Sequence, residues 1–253
     1  MTPLGALLAL GIGLVLGLLG GGGSILAVPT FLYVFHVEPK PAIAMSLVVV
    51  GTSALVGFIT HWRQGTINVR IALGFGALAM VGSFGGARVA RFVPASVQLA
   101  LFAAFALTAA AFMLRDSLRP RFATVPHDAG ELRFSALLGV QAIAVGVLTA
   151  LIGAGGGFLI VPSLVFMANV PVKEAVGSSL LIIAMNAASG VAGYLGQVAF
   201  DWSLVGWFTA VAAAGAITGT RFMRRLPAAR IKQAFAIMIL VLGSYLVIRR
   251  LTR

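Results

Sequence analysis

Residues 18–29 read LLGGGGSILAVP, and residues 151–162 read LIGAGGGFLIVP. The two stretches lie 133 positions apart, and the same offset aligns Lys40, Ala42, Ser46, Leu47, Gly57 and Gln64 with Lys173, Ala175, Ser179, Leu180, Gly190 and Gln197. GGARVARFVPA at 85–95 likewise meets TGTRFMRRLPA at 218–228. Apolar bias alone aligns leucines and alanines, but it does not bring Lys, Gln, two Arg and two Pro into one register. The chain therefore reads as a tandem duplication: a first repeat over residues 1–114, a polar linker loop over 115–132, and a second repeat over 133–253.

Composition says where such a chain folds. It is 60% hydrophobic and only 9% charged over 253 residues, with a mean hydropathy of +1.06. A soluble domain carries roughly 25% charged residues, so this chain has too little polar surface to cover a core of its size. The expectation is an all-α polytopic membrane protein. Its 18 Lys+Arg against 6 Asp+Glu sit at the ends of apolar runs, where topology signals and lipid headgroups place them; no nucleic-acid partner is expected. MTPLGALLALGIGLVLGLL at the start lacks a basic leader and a small-residue cleavage site, and reads as a retained membrane helix.

Each half holds five apolar runs. Most reach the ~20 residues needed to cross the hydrocarbon, but 24–36 and 157–168, which follow the glycine clusters, are too short to do so comfortably. If each cluster turns the chain back, a half makes five passes and its copy lies upside down. Positive charge tests this: the five-pass reading divides Lys and Arg twelve to six, whereas a four-pass reading divides them nine to nine. Positive-inside bias favours two inverted five-segment repeats, each with a Gly-broken helix hairpin entering the bilayer. The 115–132 loop is then cytoplasmic and both termini are outside.

Interior glycine costs a helix about 1 kcal/mol relative to alanine, and lipid offers no water to satisfy freed amides, so such a segment belongs where it lines a protected site. The short arms begin just after the glycines, which points their unpaired first-turn N–H groups and positive dipole ends into the gap. Glycine lets successive amides converge on a ligand, and both features recognise anions. The candidate binding groups are Gly20, Gly22, Gly23 and Ser24 with Gly153, Gly155, Gly156 and Gly157, where Ser24 has no hydroxyl counterpart. Ser46, the matching Ser179, its neighbour Ser178, and Asn186 are candidates to complete the site; alternatively, such hydroxyls bond their own helix carbonyls. Arg88/Arg91 and Arg221/Arg224 either snorkel to headgroups or draw anions to the two mouths. The six acids lie at run ends or in the linker, and His36, His61 and His127 are peripheral. No proton relay, metal site or nucleophile with its base can be assembled, so neither an enzyme nor a cofactor is expected.

The paired Gly-rich segments ending in Pro at 20–29 and 153–162, each followed by K-x-A-x-x-x-S-L at 40–47 and 173–180, resemble the TauE/SafE sulfite-exporter family. The resemblance covers the whole chain, including its size, duplication and polar central loop. It implies a secondary transporter in the cytoplasmic membrane of a bacterium, moving sulfite, an organosulfonate or a related small anion, usually outward. It also implies Gly20, Gly22, Gly23 and Pro29, with Gly153, Gly155, Gly156 and Pro162, as the core motif; Gly21 departs from it, since the second half has Ala154 there. Alternating access around a site shared by both repeats is the expected mechanism. A passive anion channel and a non-transporting assembly or sensory module are the rival readings, and oligomeric state is left open.

Overall fold

A computed structural model describes residues 3–19, 22–63, 65, 67–118, 136–153, 156–166, 168 and 170–222. Gly20, Gly155, Arg224, nearly all of the linker and the last apolar run lie outside these. Among the described residues, regular structure is entirely helical. The helices are α1 (Pro3–Leu19), a 3-10 segment (Gly22–Leu26), α2 (Ala27–Tyr33), α3 (Pro39–Trp62), α4 (Val69–Ala90) and α5 (Ala95–Leu118). The second half contributes α6 (Ala136–Ile152), α7 (Gly157–Phe166), α8 (Val172–Tyr194) and α9 (Trp202–Phe222). Four of them, α3, α4, α8 and α9, are long and apolar enough to cross a membrane.

The 133-residue offset recurs in where the helices begin. Adding 133 to the bounds of α1 gives those of α6, and α4 shifted by 133 begins where α9 begins. The starts have a common cause. Pro39 opens α3 at a position where a missing N–H is harmless, and Pro171 precedes α8. Asn68 Oδ1 accepts from Ile71 N at 3.3 Å to cap α4, and Asp201 Oδ1 accepts from Leu204 N at 2.9 Å at the matching place before α9.

The halves interlock rather than stand side by side. α1 packs along α9 and α4 along α6, so the first helix of each half lies on the fourth of the other. Both pairs run parallel. Gly13 stands against the Ala212 and Ala216 backbone, and Gly219 against Leu14; Gly146 stands against Ala79 and Ser83, and Gly86 against Val147. A methyl group at these glycines would collide with the partner's backbone. Small residues four apart are what let helices touch this closely without a hydrophobic drive from water. Leu4 and Leu7, and their counterparts Leu137 and Val140, point outward, more than half exposed, as a lipid-facing surface requires.

At the centre α3 crosses its own counterpart, α8, and these two run antiparallel. Gly57 meets Leu180, Gly51 meets Ala187, and Leu47 meets Gly190. Ser83 on α4 and Ser189 on α8 tie α4 to this pair: Ser83 Oγ donates to Asn186 O at 2.9 Å, and Ser189 Oγ donates to Met80 O at 2.7 Å.

Candidate functional site

The second glycine segment is the better defined. Gly153 ends α6 in the left-handed conformation, φ +75°, with its N–H donating to Thr149 O at 2.8 Å. Gly156 is also left-handed, at φ +64°, and its carbonyl accepts from Leu159 N at 2.9 Å and Ile160 N at 3.2 Å, which makes it the first capping residue of α7. Among the described residues these are the first hydrogen bonds of α7, and the amides of Gly157 and Phe158 lie just before them, at the positive end of the ten-residue helix. From there α7 runs back along α6, since Gln141 Nε2 donates to Ser163 Oγ at 2.7 Å. Pro162 lies inside α7, where it withholds one helix hydrogen bond.

Thr149 is the residue that sequence reasoning passed over. Its Oγ1 lies against Gly156 in a fully buried setting and has no hydrogen-bond partner. A threonine in a helix ordinarily donates to the carbonyl four residues back, so an unengaged hydroxyl beside a helix N-terminus is an available donor. The repeat comparison hides it, because Leu16 occupies the matching place in the first half.

In the first half the chain resumes at Gly22 in the 3-10 segment, and α2 follows with only seven residues. The sequence reading has a helical arm starting directly after the glycines; here Gly22, Gly23 and Ser24 belong to the tighter 3-10 turn instead. Gly23 is wedged against the Ile12 carbonyl and Leu16 backbone, and Ser24 is buried. Pro29 sits in α2, buried among the arm's apolar residues.

The serines of α3 and α8 behave alike. Ser46 Oγ lies 2.6 Å from Ile43 O and 2.8 Å from Gly153 O, so its one proton is shared between its own helix and the other half's glycine segment. Ser179 Oγ donates to Val176 O at 2.8 Å, in the register that matches Ser46 and Ile43. A side chain at Gly153 would meet Ser46 Oγ at 2.6 Å, Val28 Cγ2 at 2.9 Å and Ile43 O at 3.0 Å, so the second segment is seated directly on the first half. Ser178 faces elsewhere: its Oγ accepts from Asn68 N at 2.9 Å at the start of α4. Asn186 is fully buried and neither atom of its carboxamide has a partner.

The basic residues stand apart from these groups. Arg88 and Arg91 are exposed, with guanidinium carbons 5.2 and 4.4 Å from the Phe84 and Phe92 ring centres. Lys40 Nζ donates to Arg91 O at 3.0 Å, a cation on the negative end of α4. Arg221 is exposed in the last turn of α9.

Among the described residues the fold is all helical, with four helices long and apolar enough to span and an apolar outer face, as in a multi-pass membrane protein. Its family follows from its sequence: residues 5–246 match the family described as Sulfite exporter TauE/SafE, and the chain belongs to that family of membrane transporters. A probable membrane transporter protein of Xylella fastidiosa strain 9a5c is 32% identical over 244 residues, covering 94% of this chain and 92% of its own length. The probable membrane transporter protein YdhB of Bacillus subtilis strain 168 is 29% identical over 236 residues, covering 93% and 96%. No solved structure matches the chain.

Proposed function

We propose that the protein is a secondary transporter that exports a small anion, sulfite or an organosulfonate, by alternating access around its two glycine segments. The carrying observation is the second segment: left-handed Gly156 opens α7 beside the buried, unengaged Thr149 hydroxyl, so amide donors and a side-chain donor converge at the positive end of a helix. Gly20, Gly22, Gly23 and Ser24 form the first part of the binding region, and Gly153, Gly155, Gly156 and Gly157 the second. Ser46 and Ser179 act from the flanking helices, Ser178 supports them by holding the start of α4, and Asn186 adds a polar group deeper along α8. Pro29 and Pro162 shape the arms, and Arg88, Arg91, Arg221 and Arg224 serve the mouths.

Inversion of the repeats is part of the same reading. Homologous spanning helices run the same way in a parallel duplication and opposite ways in an inverted one, and the antiparallel crossing of α3 and α8 supports the latter. The doubling back of α7 on α6 supports an odd number of passes per half. The linker then faces the cytoplasm, with both termini outside, in the cytoplasmic membrane of a bacterium. The anion is taken from the family's description. A site shared by both halves is what lets one rock against the other and expose the solute to either side, and Ser46 already spans that boundary to Gly153.

The test is sulfite counterflow in proteoliposomes holding the purified chain. Saturable exchange is expected; flux that rises linearly with concentration, or none at all, contradicts the carrier. Because the chain has no native cysteine, single cysteines placed at 118–128 and at 251–253 report topology, and they are expected to label from opposite sides.

A further inference from the structure

Ser53 and Asn186 are the same position in the two halves, 133 residues apart. Both are fully buried, and Ser53 Oγ, Asn186 Nδ2 and Asn186 Oδ1 all lack a hydrogen-bond partner. They belong to the stretch where α3 and α8 cross, since Gly51 stands against Ala187 there, with an added Cβ only 2.7 Å from the Ala187 Cβ. Each is seven residues beyond the serine of its helix, Ser46 or Ser179, which puts it on the same helix face and about 10 Å deeper. A buried polar atom left without a partner is costly, and here two such residues occupy one repeat position.

We propose, building on the carrier reading above, that Ser53 and Asn186 form a second hydrogen-bonding station at the crossing of α3 and α8, and that it takes a singly charged oxyanion bearing a proton of its own. The charge follows from the surroundings. No Lys, Arg, Asp or Glu lies between Pro41 and Trp62 or between Ala175 and Tyr194. With no countercharge on either crossing helix, a dianion faces roughly four times the Born penalty of a monoanion. The proton follows from the donor count. Ser53 O–H and Asn186 N–H₂ donate to anionic oxygens, but Asn186 Oδ1 is an acceptor and repels a ligand that has only lone pairs to offer. Hydrogen sulfite, with one O–H in its oxyacid form, satisfies all three atoms; chloride, sulfate and an alkylsulfonate do not.

The test uses the full chain in proteoliposomes with sulfite at mildly acidic pH, where hydrogen sulfite predominates. Asn186→Leu is expected to raise the half-saturation concentration about tenfold and Ser53→Ala about threefold or more. Thermal unfolding midpoints should hold or rise, because each change removes an unengaged buried group; a folding defect lowers them instead. Asn186→Ser, which copies the first half, should stay within about threefold of the parent. Methanesulfonate and sulfate should compete about ten times more weakly than hydrogen sulfite. Unchanged half-saturation in Asn186→Leu and Ser53→Ala, or equal competition by methanesulfonate, overturns the station; should Asn186→Leu not fold, Ser53→Ala decides. Counterflow that responds to Thr149→Val but to neither of these variants defeats the station alone, whereas a parent that moves no anion defeats the carrier reading with it.

Discussion

In the first half the glycine run leads into a 3-10 segment and a short α2, and in the second it leads into the longer α7. The first arm is clamped by rings: the Phe31 ring centre lies 5.0 Å from that of Phe208 at a tilt of 43°, and Phe35 lies 5.7 Å from Trp207 and 5.8 Å from Phe208. The positions matching Phe31 and Phe35 are Leu164 and Ala168, and there the second arm is tied instead by Gln141 to Ser163. Leu16 backbone atoms lie against Gly23, where the Thr149 hydroxyl lies against the matching Gly156. Two similar glycine segments therefore lead into an arm braced by rings and an arm beside an unengaged hydroxyl. The lesson is that a few flanking side chains, rather than the glycines, divide the labour between the two halves.

Gly156→Val attacks the hydroxyl-lined arm and carries the largest expected effect. A β-branched residue in the left-handed region, crowding Thr149 as well, should lower stability by about 3 kcal/mol and abolish sulfite uptake, read by thermal unfolding in detergent and by counterflow. Phe208→Ala attacks the braced arm. It should cost about 3 kcal/mol of packing yet leave the half-saturation concentration within about twofold; a large rise in that constant would mean both arms hold the solute equally. Thr149→Val keeps shape and deletes only the hydroxyl, so stability should shift by under about 1 kcal/mol while half-saturation rises about fivefold. Arg88→Gln with Arg91→Gln should slow uptake by no more than about twofold, a difference that fades in high salt, because these exposed cations act only by attracting anions through solvent.

Much of the architecture was written in the register of the sequence. The 133-residue offset places α6 on α1 and α9 on α4, and the matched Asn68 and Asp201 caps explain why. Polar residues in apolar helices also stood out, so Ser46, Ser179 and Asn186 could be named before their surroundings were known. Their partners could not. That Ser46 reaches the Gly153 carbonyl, and that α1 lies on α9, depends on which surfaces meet, and small-residue faces look alike in every helix of this chain. Thr149 and Ser83 escaped for a different reason: they oppose Leu16 and Ala216, so the internal comparison that revealed the duplication passes over residues that make its halves differ. The 3-10 turn at Gly22–Leu26 was equally hidden, since a glycine run permits several tight conformations and tertiary contact with Ile12 and Leu16 selects one.

The account rests on anion capture by the opened amides of the second arm, and amide hydrogen exchange with and without saturating sulfite reads those amides directly. Slowed exchange at residues 157 and 158, with little change at 25–28, is the expected result. Unaltered exchange at 157 and 158 in a protein that demonstrably transports sulfite would contradict it.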